Sequence, residues 1–244
     1  MLKQKKKKER FASSTPFLQW KSCVHELVFY ILYGWYHYFY VNLQSMDAQI
    51  SNNQWSENII LVDGDYIDQV AFDLIVNFER MIGRRIPAAD TARWIDCIAL
   101  DGGIREGTHD TQVIFVHSKE KTTLENFQPG NFENDLNGKA FKDHLGEFML
   151  SSFPVEDIVQ DTDFFMDILL TVCQHPNVKR MMIVPNCERE GVFDRIRTSL
   201  RRVDDENKRI TVFAMQPLVG GNFRQEILGY SLMNALGIKS EEIK

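Results

Sequence analysis

From Asn58 onward the chain switches repeatedly between two hydrophobic rhythms. Residues 58–63 (NIILVD) form a short, continuous apolar run that ends in Asp63-Gly64-Asp65. Such a run suits a strand buried on both faces, as in a parallel sheet. Over residues 68–81, Val70, Leu74, Phe78 and Met81 recur at helical spacing, and Gly83 supplies a stop. Pro87 predicts the opening of a second helix that runs to about Ala99 and halts at Gly102-Gly103. Residues 111–116 (TQVIFV) read as a strand. Residues 118–140 are polar with scattered Gly and Asn, mostly loop with room for a short helix. Residues 147–153 read as another strand, ended by Pro154.

The second half repeats the alternation. Asp161 or Thr162 is placed to cap a helix over FFMDILLTVCQ. Residues 179–184 (KRMMIV) predict a strand stopped by Pro185. A helix over about 188–202 follows, with Val192, Ile196 and Leu200 on one face. Residues 209–214 (RITVFA) predict the last strand. Gly220-Gly221 make a turn, Asn222 can cap, and Gln225 sits three positions on as in a capping box. The final helix then runs to about Leu236 and stops at Gly237. Strands alternating with helices, without hairpin signals, predict an α/β fold. The expected architecture is a mainly parallel central sheet flanked by helices on both faces. There is no repeat of solenoid length and no composition break after Asn58, so residues 46–244 read as a single domain.

The first 45 residues differ in kind. They carry seven Lys/Arg and two Glu, net +5, and residues 27–43 (LVFYILYGWYHYFYVNL) are almost wholly apolar or aromatic. A basic flank before an apolar stretch resembles a signal or an anchor, but the stretch is short for a span and rich in Tyr and Trp. Three readings stay open for residues 1–45: an extension upstream of a true start at Met46, a membrane-proximal anchor, or a folded extension. Only the second would bring a membrane into contact with the protein.

Charge and cysteine content narrow the chemistry. Residues 46–244 carry 21 Lys/Arg and 32 Asp/Glu, net −11, so the body exerts no general pull on nucleic acid or anionic lipid. A polyanion would have to be met at a local basic patch or through metal ions. Cys23, Cys97, Cys173 and Cys187 form no CxxC element, and the six histidines form no HxxxH or HExxH pair, which disfavours zinc sites and disulfide scaffolds. Cysteines of this kind, with no cleavage site after the apolar stretch, suggest a cytoplasmic protein. No GxGxxG or P-loop pattern supports a nucleotide cofactor, and no DNA-binding motif is present.

Ligands of open parallel sheets bind beyond the carboxyl ends of the strands, where strand order reverses. Asp63, Asp65 and Asp68 follow the first strand, and Asn186, Glu188 and Glu190 follow the strand at 179–184. Asp161, Asp163 and Asp167 open the helix between. If the strands at 58–63 and 179–184 are neighbours, these groups converge. Carboxylates held together repel unless a cation compensates, and an oxygen-only ligand set suits Mg²⁺ or Mn²⁺. The plainer reading of each acid is a helix cap or a dipole partner.

The strand-end acid (IILVDGDYID), the acidic helix (DTDFFMDILL) and the late strand with its polar exit (MMIVPNCERE) resemble, in that order, a PIN-like domain of the NYN type over roughly residues 57–215. That resemblance implies a metal-dependent ribonuclease fold acting on RNA at an acidic cluster. Asp63 falls at the first-strand acid, and Asp163 or Asp167 at the helix acid. With Glu188 these would hold the ion, while Asp65 and Asn186 orient the ion or the water. Where the family usually has a Ser-Gly-Asp-x-Asp-like run, this chain has Pro185-Asn186-Cys187-Glu188. Fewer charges weaken divalent binding, so an inactive member serving as an interaction module is the alternative. Asp63-Gly64-Asp65 also resembles the opening motif of haloacid dehalogenase-like phosphatases, which implies a nucleophilic Asp63. Asp204-Asp205 does not follow a strand as that family's late acids do.

Arg189, Arg195, Arg197, Arg201, Arg202, Lys208 and Arg209 gather around one predicted helix. They make either an RNA-contacting rim or a solvated helix face, and the interleaved acids favour the latter. His117, after its strand, could line the same edge, and a lone histidine is more often simply hydrogen-bonded in place.

Overall fold

The structure is a computed structural model that describes residues 55–155, 161–203 and 207–243. The expectations for residues 1–45 and for Asp204-Asp205 lie outside the described residues.

The central strand β1 (Asn58–Asp63) is hydrogen-bonded in parallel on both sides, to β3 (His109–Ser118) and to β7 (Arg180–Val184). This explains its unbroken apolar run: Ile59, Ile60, Leu61 and Val62 have no solvent on either face. Beyond β3 lie β6 (Gly146–Val155) and β5 (Ala140–Asp143). Beyond β7 lie β8 (Arg209–Ala214) and β9 (Arg224–Ile227). The sheet order is therefore β5-β6-β3-β1-β7-β8-β9, parallel at every pairing except β5–β6. The chain builds outward from β1 through β3 to β6, then returns to β7 and builds the other way. Strand order thus reverses between β1 and β7, which makes their carboxyl ends the switch point of a doubly wound sheet.

Helices cover both faces. Helix α1 (Gly64–Ile82) and α2 (Thr91–Asp101) pack on the side of Ile60, Val62, Phe115, Met182 and Phe213, together with α5 (Leu228–Ala235). The alternate residues Ile59, Leu61, Met181 and Ile183 face the other way, toward α3 (Asp161–Gln174), whose Cys173 Sγ lies 3.2 Å from Met181 Sδ. Helix α4 (Val192–Leu200) buries Val192, Ile196 and Leu200, the predicted stripe. Residues 55–244 form one compact unit. Among the described residues, no helix is long and apolar enough to cross a membrane.

The departures from the predicted elements have local causes. The second helix begins at Thr91 rather than Pro87, because Asp90 caps it by accepting from Arg93 N at 3.1 Å. Ala89 and Asp90 instead form a short strand, β2, parallel to β4 (Phe127–Gln128). Phe132–Leu136 is a single π-helical turn. The β5–β6 hairpin turns through His144 and Leu145, with Asp143 Oδ1 accepting from Leu145 N at 2.7 Å; it lacks the Asn-Gly or Asp-Gly pair that marks such turns. Pro154 does not end β6. Leu150 N and Ser152 N point to the β5 side, and residue 154 continues that alternation where β5 no longer reaches, so no ladder bond is lost. Helix α4 is shorter than predicted, opening after Gly191 at φ 77°. The capping box expected at Asn222–Gln225 does not form. Residues 224–227 are the edge strand β9, and Gln225 Oε1 accepts from Leu218 N at 2.9 Å.

One contact between α2 and the β5–β6 hairpin titrates. Asp96 Oδ1 and Asp143 Oδ2 are both buried with no donor. A proton shared by the two carboxyls supplies one. Burial, then the Asp143 carboxyl and the Asp90 charge, push Asp96 up from 3.8 to about 7. The folded protein therefore keeps a proton that the unfolded chain has released. That stabilisation is full below the unfolded value of 3.8 and is lost as pH rises to about 7. Urea unfolding across this range should show stability falling as pH rises. Asp96→Asn should flatten the slope and raise stability at pH 8 by about 1 kcal/mol, a figure reduced for the pair's partial solvation.

Candidate functional site

The β1–α1 junction is the first component of the site. Asp63 caps α1, its Oδ1 accepting from Tyr66 N at 3.0 Å. Gly64 is buried. A Cβ there would stand 3.1 Å from Phe132 Cζ, 3.2 Å from Val116 O and 3.4 Å from His117 Cβ, so the junction is pressed against the end of β3. Asp65 reaches across, its Oδ2 accepting from Ser118 N at 2.8 Å, while its Oδ1 is buried without a partner. Asp68 faces elsewhere: it accepts from Asn126 N at 2.8 Å and pairs with Lys121 Nζ at 2.7 Å, anchoring the loop after β3.

Beside this junction β7 ends at Val184, in register with Val62, and runs into Pro185-Asn186-Cys187-Glu188. Asn186 Oδ1 accepts from Arg189 N at 3.1 Å and holds the turn. Tyr66, only 5% exposed, leaves its hydroxyl unpartnered at this corner. Burial, followed by the charges of Glu188, Cys187 and Asp63, drives its ionisation well above the ordinary tyrosine range. Burial and then Glu188 push the Cys187 thiol up to about 12, so it stays protonated and is no nucleophile at neutral pH. Asp63, Tyr66, Cys187 and Glu188 therefore share the switch point.

Asp163 and Asp167 lie in a separate group. Asp163 Oδ1 pairs with Arg195 Nη2 of α4 at 2.7 Å. Burial and the neighbouring Asp163 push Asp167 up, with Arg195 opposing them. The acids expected in one pocket are thus divided between the β1–β7 corner and the α3–α4 seam. Among the described residues, no group of three or more His, Cys, Asp or Glu is placed to hold a metal ion. The basic cluster is partly spoken for as well: Lys208 Nζ donates to the carbonyls of Cys173 and His175, and Arg197 pairs with Asp194 at 2.7 Å.

Tyr66 is the site residue that sequence reasoning missed. A tyrosine in the first turn of an amphipathic helix reads as core, and only the tertiary neighbours reveal an unmatched hydroxyl. His117 does line the edge, as its position after the β3 run suggested. It is buried, stacked on Phe132 with ring centroids 3.7 Å apart, and hydrogen-bonded through Nδ1 to Ser118 O at 2.9 Å.

These features define a doubly wound α/β protein with an acidic, tyrosine-bearing corner at its switch point. The chain belongs to a family of unknown function, DUF6621, whose model matches residues 52–243. No curated protein and no solved structure matches it.

Because the Tyr66 hydroxyl has no partner among the described residues, Tyr66→Phe should leave the ligand-free protein as stable as before, or more stable by up to about 1 kcal/mol. Chemical denaturation checks this. A loss above roughly 1.5 kcal/mol would show that the hydroxyl is bonded after all.

Proposed function

We propose that the corner between β1 and β7 is a divalent-cation-dependent site for phosphodiester hydrolysis in RNA, of the PIN/NYN-like kind that the order of elements resembles. One observation carries the reading: Asp63 at the end of β1 and Glu188 in the turn after the adjacent β7 both raise the ionisation of Tyr66, whose buried hydroxyl has no partner among the described residues. Asp63 is half-buried and Glu188 exposed, so the corner offers carboxylate oxygens that open to solvent on one side. The donor set fits Mg²⁺ or Mn²⁺, hard ions that are commonly held by one or two carboxylates and complete their shell with water and substrate phosphate. Such an ion, once bound, supplies charge neutralisation at a phosphate oxygen and an activated water.

The chain's own residues do the rest. Asp63 and Glu188 fix the ion, with Asp63 held by its cap on α1. Asn186 stiffens the turn that presents Glu188. Tyr66 offers a hydroxyl donor that burial keeps protonated. Asp65 fixes the β3 wall through Ser118. Asp163 and Asp167, paired toward Arg195, enter this reading only as a second acidic group farther along the rim.

The Asp163–Arg195 pair favours a second reading, a non-catalytic interaction module of the same fold, because it neutralises an acid that the nuclease reading would use. Mn²⁺ titration calorimetry separates the two. Wild type should bind, and both Asp63→Asn and Glu188→Gln should weaken binding about tenfold or more. Asn is as good a cap as Asp, so Asp63→Asn should keep its fold. A single-stranded RNA oligonucleotide should be cut only with Mn²⁺ or Mg²⁺ present. A folded wild type that neither binds Mn²⁺ nor cuts RNA leaves the interaction module.

A further inference from the structure

On the β3 side of the same rim, Asp65 and His117 both grip the backbone of Ser118. Asp65 Oδ2 accepts its N–H at 2.8 Å, and His117 Nδ1 lies 2.9 Å from its carbonyl oxygen. The second bond requires Nδ1 to carry the proton, which leaves Nε2 with a bare lone pair. His117 is only 6% exposed, and among the described residues Nε2 has no hydrogen-bond partner, although the Lys121 backbone also faces the ring. Asp65 Oδ1, buried too, has none either. Two acceptors are thus left unmatched, one on each side chain. Lys121, a nearby cation, is engaged with Asp68 at 2.7 Å.

We infer that His117 Nε2 and Asp65 Oδ1 are protein ligands of a divalent transition-metal ion, of the Mn²⁺, Co²⁺ or Zn²⁺ class, in a site that nitrogen ligation makes distinct from the Asp63–Glu188 corner. This does not rest on the hydrolase reading. A ligating histidine characteristically donates its other ring N–H to a backbone carbonyl, and a ligating carboxylate is itself held by a hydrogen bond; Ser118 supplies both supports. The ring is held against the parallel Phe132 ring. Imidazole nitrogen favours a transition metal over Mg²⁺.

The test uses the full chain with Mn²⁺ or Co²⁺ alone. Pulsed EPR on the Mn²⁺ complex should show ¹⁴N coupling from an imidazole. His117→Gln should abolish it, and Asp63→Asn should leave it. Asp65→Asn keeps an oxygen for Ser118 N and so spares the fold if His117→Gln does not. It should weaken the nitrogen-coupled Mn²⁺ by about tenfold or more. Three results would each overturn the inference: no Mn²⁺ or Co²⁺ uptake by wild type, bound Mn²⁺ without nitrogen coupling, or coupling that survives both His117→Gln and Asp65→Asn. Uptake lost in Asp63→Asn with no nitrogen coupling in wild type would sink this site while sparing the hydrolase reading. Coupling lost only in His117→Gln and Asp65→Asn would uphold this site whether or not RNA is cut.

Discussion

Strand β1 must turn into a helix within one residue while hydrogen-bonded on both sides. Its last residue, Asp63, is still in register with Val116 of β3 and is already the cap of α1. The turn has no room to spare, since Gly64 is packed against Phe132, Val116 and His117. Asp65 and Tyr66 are consequently delivered into the rim in fixed directions, one toward β3 and the other toward β7. A side chain at position 64 would push the helix start away from β3 and loosen both. The buried unmatched polar atoms at this edge (Asp65 Oδ1, Tyr66 Oη and His117 Nε2) follow from that geometry. Burying such groups without partners costs roughly 1–3 kcal/mol each, a cost that proteins tolerate chiefly where a ligand or a function offsets it.

Much of the fold was legible in the sequence. The runs NIILVD, TQVIFV, KRMMIV and RITVFA are strands because a parallel sheet covered on both faces needs continuous apolar segments, and no other element demands them so plainly. The edges were not legible. Strand β5 (AFKD) and strand β9 (RQEI) are polar and short, and their pairing is set by neighbours that local pattern does not contain. The hairpin at His144-Leu145 carries no turn signature.

The candidate site was legible by half. Placing Asp63 and Glu188 together needed the adjacency of two strands, a condition that the sequence left open and the β1–β7 pairing meets. Placing Asp163 and Asp167 needed the rotation of α3 about its axis and the reach of Arg195 from α4, and neither is written in residue spacing. Tyr66 carried no signal in the sequence, and it is core except for one oxygen. The general point is that strand ends position backbone reliably, whereas helix acids depend on which partner cation the packing brings nearest.

The account turns on Asp63 and Glu188 sharing one counter-ion at the switch point. The most direct measurement is a crystal structure grown with Mn²⁺ and phased to reveal its anomalous signal. The account predicts a peak bridging the Asp63 and Glu188 carboxylates beside the Tyr66 hydroxyl. A fully ordered corner with no peak there, or Mn²⁺ gathered only at Asp163 and Asp167, would contradict it.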